Sequence, residues 1–355
     1  MKRILLFTEN LGSGGAERQL TGLAVLLKQK GYDVKVITYV ERQFFEKYLV
    51  ENGVGHELVP AILNKLTGLW HLYHAVKRFH PDAIVSFLPA PNKRVCLLRM
   101  FYKTKLIVSE RSHTLNWSFK TELQYSLYRQ ADWVVANSFS EAENIARNCS
   151  KLKNKTIAIP NFVDVDKFCP IERQNPNDTI EIVAVGRLIP SKNVLRLLDA
   201  LSIVVEKNKN IHLTWTGFQY DKSYLAEVQD KIEKSGLSEY VTLQDQTNEV
   251  LKVYHSADVF CLPSLYEGYP NVVCEAMSCG LPVVCSNVYE NPRIVEEGVN
   301  GFLFDSENID DMAAALLKMI SLTNDERQRM GLRNRKKIVE NNSMEVFAKK
   351  YMDLL

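Results

Sequence analysis

Short, wholly apolar runs recur along the chain, each followed by a glycine- or proline-bearing loop and then by a stretch in which apolar residues return every three or four positions. Ile4-Leu5-Leu6-Phe7 is the first of these runs, and its lack of alternation suits a strand buried on both faces. The loop Asn10-Leu11-Gly12-Ser13-Gly14-Gly15 follows it, and an amphipathic helix is predicted over 16–29. Val34-Lys35-Val36-Ile37-Thr38-Tyr39 gives a second strand. Helices are then predicted around 69–79, 92–101 and 122–129, between strands at 83–87, 106–109 and 133–137. Ser138 and Glu141 have the spacing of a capping box for the next helix. Strands that alternate with helices in this way imply a parallel, doubly wound sheet.

The pattern stops and restarts once. Ile157-Ala158-Ile159-Pro160-Asn161 closes the first block, and the polar run Glu172-Arg173-Gln174-Asn175-Pro176-Asn177-Asp178 reads as a linker. Ile180-Glu181-Ile182-Val183-Ala184-Val185 begins the second block, with further strands at 212–216, 240–243, 259–262 and 282–284. From Asp325 to Leu355 the chain is charged and helical in pattern. The predicted organisation is a first domain at 1–163, a linker at 164–178, a second domain at 179–338 and a terminal helix at 339–355.

Composition narrows the function classes. With 355 residues, 46% hydrophobic and 24% charged, the chain can fill two cores. A formal net charge of +2 excludes nucleic-acid binding driven by bulk charge. The seven cysteines form no C-x2-C pair and mostly sit in apolar runs, as small buried hydrophobes would in a reducing compartment, so structural zinc is not expected. The opening apolar run is too short for a signal peptide and no stretch reaches membrane-spanning length. The expectation is a soluble protein, or one attached to a membrane only at its surface.

Candidate chemistry concentrates at strand ends. The stretch 263–284 reads as strand, loop, helix, strand, which puts Glu267 in the loop and Glu275 about one turn into the helix opening near Pro270. Unpaired amides at such a helix start suit a phosphate or a hydroxyl-rich ligand, and the two carboxylates would accept from hydroxyls. In the second block, Gly186-Arg187 and Lys192-Asn193 set two cations beside a helix start. In the first block, Gly14 and Gly15 let backbone amides approach a ligand, but the loop lacks the third glycine of a dinucleotide fingerprint, although Glu41 stands where an NAD enzyme keeps its ribose acid. Glu110-Arg111-Ser112-His113 follows a strand at the end where open sheets bind ligands. Asp164-Val165-Asp166 is a D-x-D triplet leading into the linker, and His71 and His74 lack grouped acids or cysteines, so no metal site is expected. The segment 92–105 interleaves basic and apolar residues, and Lys93, Arg94 and Arg99 could seat it on an anionic membrane.

Glu267-Gly268-Tyr269-Pro270 followed by Glu275-Ala276-Met277-Ser278-Cys279-Gly280-Leu281-Pro282 resembles the Glu-x7-Glu signature of glycosyltransferase family 4, retaining enzymes of the GT-B fold. Gly186-Arg187-Leu188 with Lys192-Asn193, and Pro160-Asn161-Phe162-Val163-Asp164, are similar to further elements of that family. The resemblance covers nearly the whole chain. It implies an α/β fold of two Rossmann-like domains facing a cleft, with acceptor held by the first, a nucleotide sugar by the second, and the last helix crossing back to the first. It implies catalytic roles for Glu267, Arg187, Lys192 and His113, and substrate contacts at Gly14, Gly15, Gly186, Gly268, Tyr269, Pro270, Asn271 and Glu275. It further implies a UDP-sugar donor, a saccharide or lipid-linked acceptor, no metal or other cofactor, and work in the cytoplasm at the inner face of a membrane. Phe218 and Asp245 stand where the family favours glycines near the nucleobase, which leaves the base open. A nucleotide-sugar epimerase of the same fold and a non-catalytic nucleotide- or NAD-binding protein remain rival readings.

Overall fold

A computed structural model describes residues 1–59, 65–114, 116–171, 179–219 and 221–355. The chain divides into two units, one of Met1–Phe162 with Met344–Leu355 and one of Val163–Ser343. The first contains β1 (Arg3–Phe7), β2 (Asp33–Thr38), β3 (Gly55–Leu58), β4 (Ala83–Phe87), β5 (Lys105–Glu110), β6 (Trp133–Ala136) and β7 (Thr156–Ala158). They form one sheet in the order β3-β2-β1-β4-β5-β6-β7, with every pair parallel. Strand side chains alternate between faces. Ile4 and Leu6 of β1 therefore pack with Leu20, Leu23 and Leu27 of helix Gly15–Gln29, while Leu5 and Phe7 join Leu72 and Val76 of helix Lys65–Phe79 on the other face.

The second unit repeats the plan with β8 (Ile180–Val185), β9 (Ile211–Thr216), β10 (Val241–Gln244), β11 (Val259–Leu262), β12 (Val283–Ser286) and β13 (Gly301–Phe304). Their order is β10-β9-β8-β11-β12-β13, again parallel throughout. Ile182 and Ala184 face one core, and Val183 faces the other with Phe260 and Leu262. In each unit the strand order reverses beside the first strand, between β1 and β4 and between β8 and β11. Loops leaving the carboxyl ends of those strands diverge at such a reversal, which is where open α/β sheets receive ligands.

The segment read as the start of a linker is packed differently. Val163 and Phe168 are buried in a core of the second unit, and Arg335 donates to the carbonyls of Val165 and Phe168 at 2.7 and 2.8 Å. Residues 163–171 thus belong to that unit, and the polar part of the proposed linker, 172–178, lies outside the described residues. The tail forms two helices, Asn324–Asn342 and Met344–Met352. Phe347, Ala348 and Tyr351 of the latter enter the first unit's core beside Phe162 and Phe87. Buried Cys96, Cys261 and Cys274 are free thiols that burial pushes up to about 12. No helix among the described residues is long and apolar enough to cross a membrane.

Candidate active site

In the second unit, β8 is followed by Gly186, whose carbonyl accepts from Trp215 Nε1 at 3.0 Å. The loop after β9 presses against it so closely that a Cβ on Gly217 would stand 1.9 Å from the Gly186 oxygen. A tight turn, Pro190–Lys192, follows, and Asn193 in left-handed backbone opens helix Val194–Lys207. The buried Asn193 amide donates to the carbonyls of Pro263 and Ser306 at 3.1 and 2.7 Å, and Leu265 N donates to Ser191 O at 2.9 Å. These bonds tie the loop after β8 to the loop after β11. Lys192 Nζ consequently forms an ion pair with Glu267 Oε1, and Ser264 Oγ donates to the same oxygen at 2.7 Å. Two residues far apart in sequence are thus joined at one carboxylate, which desolvation by the surrounding loops strengthens.

Helix Asn271–Ser278 begins at its N-cap Pro270 and ends before Gly280, which holds φ +78. Glu275 is buried, and Tyr254 OH donates to its Oε2 at 3.0 Å. The carboxylate read from the sequence as an acceptor for hydroxyls is thus held from inside the unit by a buried tyrosine. The Tyr269 side chain is also turned into the core, where its hydroxyl accepts from Asn342 Nδ2 at 2.6 Å and burial holds its phenol well above the usual range. Any ligand contact at Tyr269 is left to its backbone. Gly268 and Asn271 are half-buried, Pro270 is buried, and Arg187 is exposed at the end of β8. Leu188 N bonds to the Phe218 carbonyl at 3.0 Å, which sets the exposed Phe218 next to the Arg187 loop.

In the first unit, Gly14 caps helix Gly15–Gln29, and Glu17 folds back so that its Oε2 would lie 2.2 Å from a Cβ on Gly14. Burial raises the Glu17 carboxyl, partly against the bond from its own amide. The glycine loop therefore already faces a carboxylate of its own chain. After β5, His113 Nδ1 lies 2.9 Å from Oε2 of the fully buried Glu141. Thr114 donates to the same carboxylate from its amide at 2.9 Å and its hydroxyl at 2.7 Å, and Tyr125 OH donates at 3.0 Å. Burial pushes Glu141 up, but the bonds from His113, Thr114 and Asn144 outweigh it and hold the carboxyl below its ordinary value. Only half of the expected capping box forms: Ser138 Oγ accepts from Glu141 N at 3.1 Å, while the Glu141 side chain serves the His113 loop. Sequence reading missed this role because the S-x-x-E spacing already explained the glutamate.

Beside it, Glu110 is buried and raised to about 7 by desolvation, against donation from Tyr128 OH and Asn92. Arg111 lies over the Phe87 ring at 4.8 Å and bonds to Asn161 Oδ1. Of Lys93, Arg94 and Arg99, expected to seat 92–105 on a membrane, the two arginines are engaged within the unit. The Arg94 guanidinium stacks on Tyr39 at 3.9 Å, and Arg99 pairs with Asp132 and donates to the carbonyls of Tyr102 and Thr104. Asp164 accepts from Lys167 N at 3.1 Å, a turn contact, and no group of potential metal ligands occurs among the described residues.

Two family models match the chain in succession, "Glycosyltransferase Family 4" over residues 13–167 and "Glycosyl transferases group 1" over 170–337. An uncharacterized glycosyltransferase of Haemophilus influenzae is 28% identical, covering 90% of this chain and 91% of its own. The Campylobacter jejuni N-acetylgalactosamine-N,N'-diacetylbacillosaminyl-diphospho-undecaprenol 4-alpha-N-acetylgalactosaminyltransferase is 26% identical, covering 95% and 94%. In three dimensions the chain is similar to Anabaena Alr3699/HepE, solved in complex with UDP and glucose, at a TM-score of 0.82 and 18% identity over 99% of both chains.

Proposed function

From a chain that belongs to glycosyltransferase family 4 and carries the GT-B fold, we propose a retaining transfer of a sugar from a UDP-sugar to a saccharide on a lipid diphosphate. The observation that carries this reading is the convergence of Lys192 and Ser264 on one Glu267 carboxylate oxygen at the switch point of the second sheet, with helix Asn271–Ser278 opening alongside. UDP as the nucleotide is supported by the UDP in the Anabaena structure, and the acceptor class by the diphospho-undecaprenol named for the Campylobacter relative. Such an acceptor would meet the protein at the inner face of a membrane.

In this mechanism Glu275, held by Tyr254, accepts from the ribose hydroxyls. Glu267 accepts from hydroxyls of the donor sugar, and the amides of Gly268 and Tyr269 donate to them. Arg187 and Lys192 meet the charge that develops on the departing diphosphate, with Lys192 shared between Glu267 and phosphate. The leaving phosphate oxygen takes the acceptor proton on the face it vacates, so no protein base is required. The cations of Arg187 and Lys192 and a helix start would supply the stabilisation that a divalent metal supplies elsewhere.

The test is UDP release from a panel of UDP-sugars by purified protein in excess EDTA, with and without extracted lipid-linked saccharides. Acceptor-dependent release is expected, with Arg187→Lys at least tenfold slower because a point charge cannot reproduce a two-pronged grip. Release abolished by EDTA and restored by magnesium would overturn the metal-free mechanism, and a new sugar isomer formed from donor alone would establish an epimerase instead.

A further inference from the structure

The face of the first unit that the sequence offered as interleaved basic and apolar positions presents large apolar side chains with a cationic rim. Trp70 is 59% exposed, Leu97 45%, Met100 81% and Phe101 64%. Trp70 comes from helix Lys65–Phe79, Leu97 from helix Pro89–Leu98, and Met100 and Phe101 from the turn that follows it. Together with Leu69, Tyr73 and Leu98, three of them line an open groove of about 540 Å³. A second groove of about 310 Å³ shares Tyr73 and Phe101 and runs on to Lys77, His80 and Tyr102. Tyr73 stacks on Tyr102 and meets Phe101 edge-on, so the two grooves share one aromatic wall.

Large apolar side chains held this far out in water are costly unless something covers them. The charges around them indicate what does. Residues 65–105 contain eight lysines and arginines and a single acid, Asp82, and no carboxylate among the described residues lines either groove. Arg94 and Arg99 are engaged internally, but Lys77 and Lys103 are exposed, Lys77 lying 5.8 Å from the Tyr73 ring and Lys103 between the groove residues Tyr102 and Thr104. Asp82 is occupied by the Arg3 amide at 2.7 Å. A second copy docked by two-fold symmetry would bring these cationic rims together, which like charge disfavours. An anionic lipid surface satisfies both features: Trp70 and Tyr73 are amphipathic rings suited to headgroup depth, Leu97, Met100 and Phe101 enter the acyl boundary, and the lysines meet lipid phosphates.

We propose that this face, centred on Trp70, Met100 and Phe101 with Lys77 and Lys103 at its rim, docks the first unit on an anionic membrane. The proposed lipid-linked acceptor gives such docking a purpose, but the test uses no sugar nucleotide, so the two readings fail separately. The full chain is sedimented with vesicles of phosphatidylcholine alone or with one third phosphatidylglycerol, at low and physiological salt. Wild type should pellet with the anionic vesicles, shift its tryptophan emission to the blue, and lose part of its binding as salt rises. The variant Trp70→Ser/Met100→Ser/Phe101→Ser should keep the wild-type circular dichroism and melting temperature, since these side chains are exposed, yet partition at least tenfold more weakly. Lys77→Gln/Lys103→Gln should weaken binding several-fold to anionic vesicles only. Wild type left in the supernatant at low salt, or triple-variant binding equal to wild type, would overturn the proposal. So would a wild-type dimer that becomes monomeric in the triple variant without any binding to vesicles.

Discussion

Glu267 and Glu275 occupy one signature but are held by opposite means, and their substitutions should separate accordingly. Glu267 sits in a loop and takes the bonds of Lys192 and the buried Ser264, so Glu267→Ala should weaken donor binding by about 1.5–3 kcal/mol, roughly tenfold to a hundredfold, and should lose about 1 kcal/mol of stability from the stranded Ser264 hydroxyl. Glu275→Ala also withdraws the acceptor at 3.0 Å from a fully buried Tyr254 hydroxyl, so it should lose about 1–3 kcal/mol of stability as well. Glu275→Gln keeps an acceptor there and should recover stability without recovering turnover. Urea unfolding beside donor turnover checks this, and a glutamine variant with wild-type activity would remove the carboxylate from its role. Glu110 makes a pH prediction. Its folded value of about 7 lies above its ordinary value of 4.5, so the folded state retains a proton that the unfolded chain releases. Stability is therefore lost as pH rises from 4.5 to 7, at up to about 1.4 kcal/mol per unit from this group. Glu110→Gln should flatten that decline, and parallel stability curves for wild type and variant would contradict the buried acid.

Among the elements, the strands buried on both faces were legible because nearly every position in them is apolar, as in β11 and, with Ser86 its one polar residue, β4. The edge strand β3, Gly55-His56-Glu57-Leu58, was not, because it has no fully buried position and its glutamate pairs with Lys35 across the sheet. The helix that carries Glu275 was readable from Pro270 and Gly280, but its seating was not. It crosses helix Asn324–Asn342 so closely that a Cβ on Gly331 would stand 1.9 Å from the Gly280 carbonyl, a contact that only three-dimensional structure reveals. The same limit hid Tyr254 behind Glu275 and Glu141 behind His113, since each pair joins different elements. Gly331→Ala should accordingly cost roughly 1–3 kcal/mol or more and lower turnover by displacing the Glu275 helix. Gly298→Ala provides the contrast: its φ of +73 makes alanine strained, but nothing lies within 4 Å of the new methyl. About 1 kcal/mol and unchanged turnover are expected there. Thermal unfolding of both variants decides, and a Gly331 variant no worse than the Gly298 variant would refute the crossing.

At the scale of the whole molecule, the two units differ in how the chain builds them. The second is one continuous stretch, Val163–Ser343, whereas the first needs its final segment, Met344–Leu355, to fill the core with Phe347, Ala348 and Tyr351. A chain ending at Ser343 should therefore yield a protease-resistant fragment from the second unit while the first is digested, as mass spectrometry of limited digests would show. Equal resistance of both units would mean that the last helix is dispensable to the first core. For the full chain the consequence is one of order in time. Translation at about 5–20 residues per second leaves the first 162 residues waiting roughly ten to forty seconds for the helix that completes them. On the ribosome, then, the second unit has all its residues before the first does, and a nascent chain paused before Met344 exposes the apolar seat of Phe347 and Tyr351 to whatever chaperone attends it.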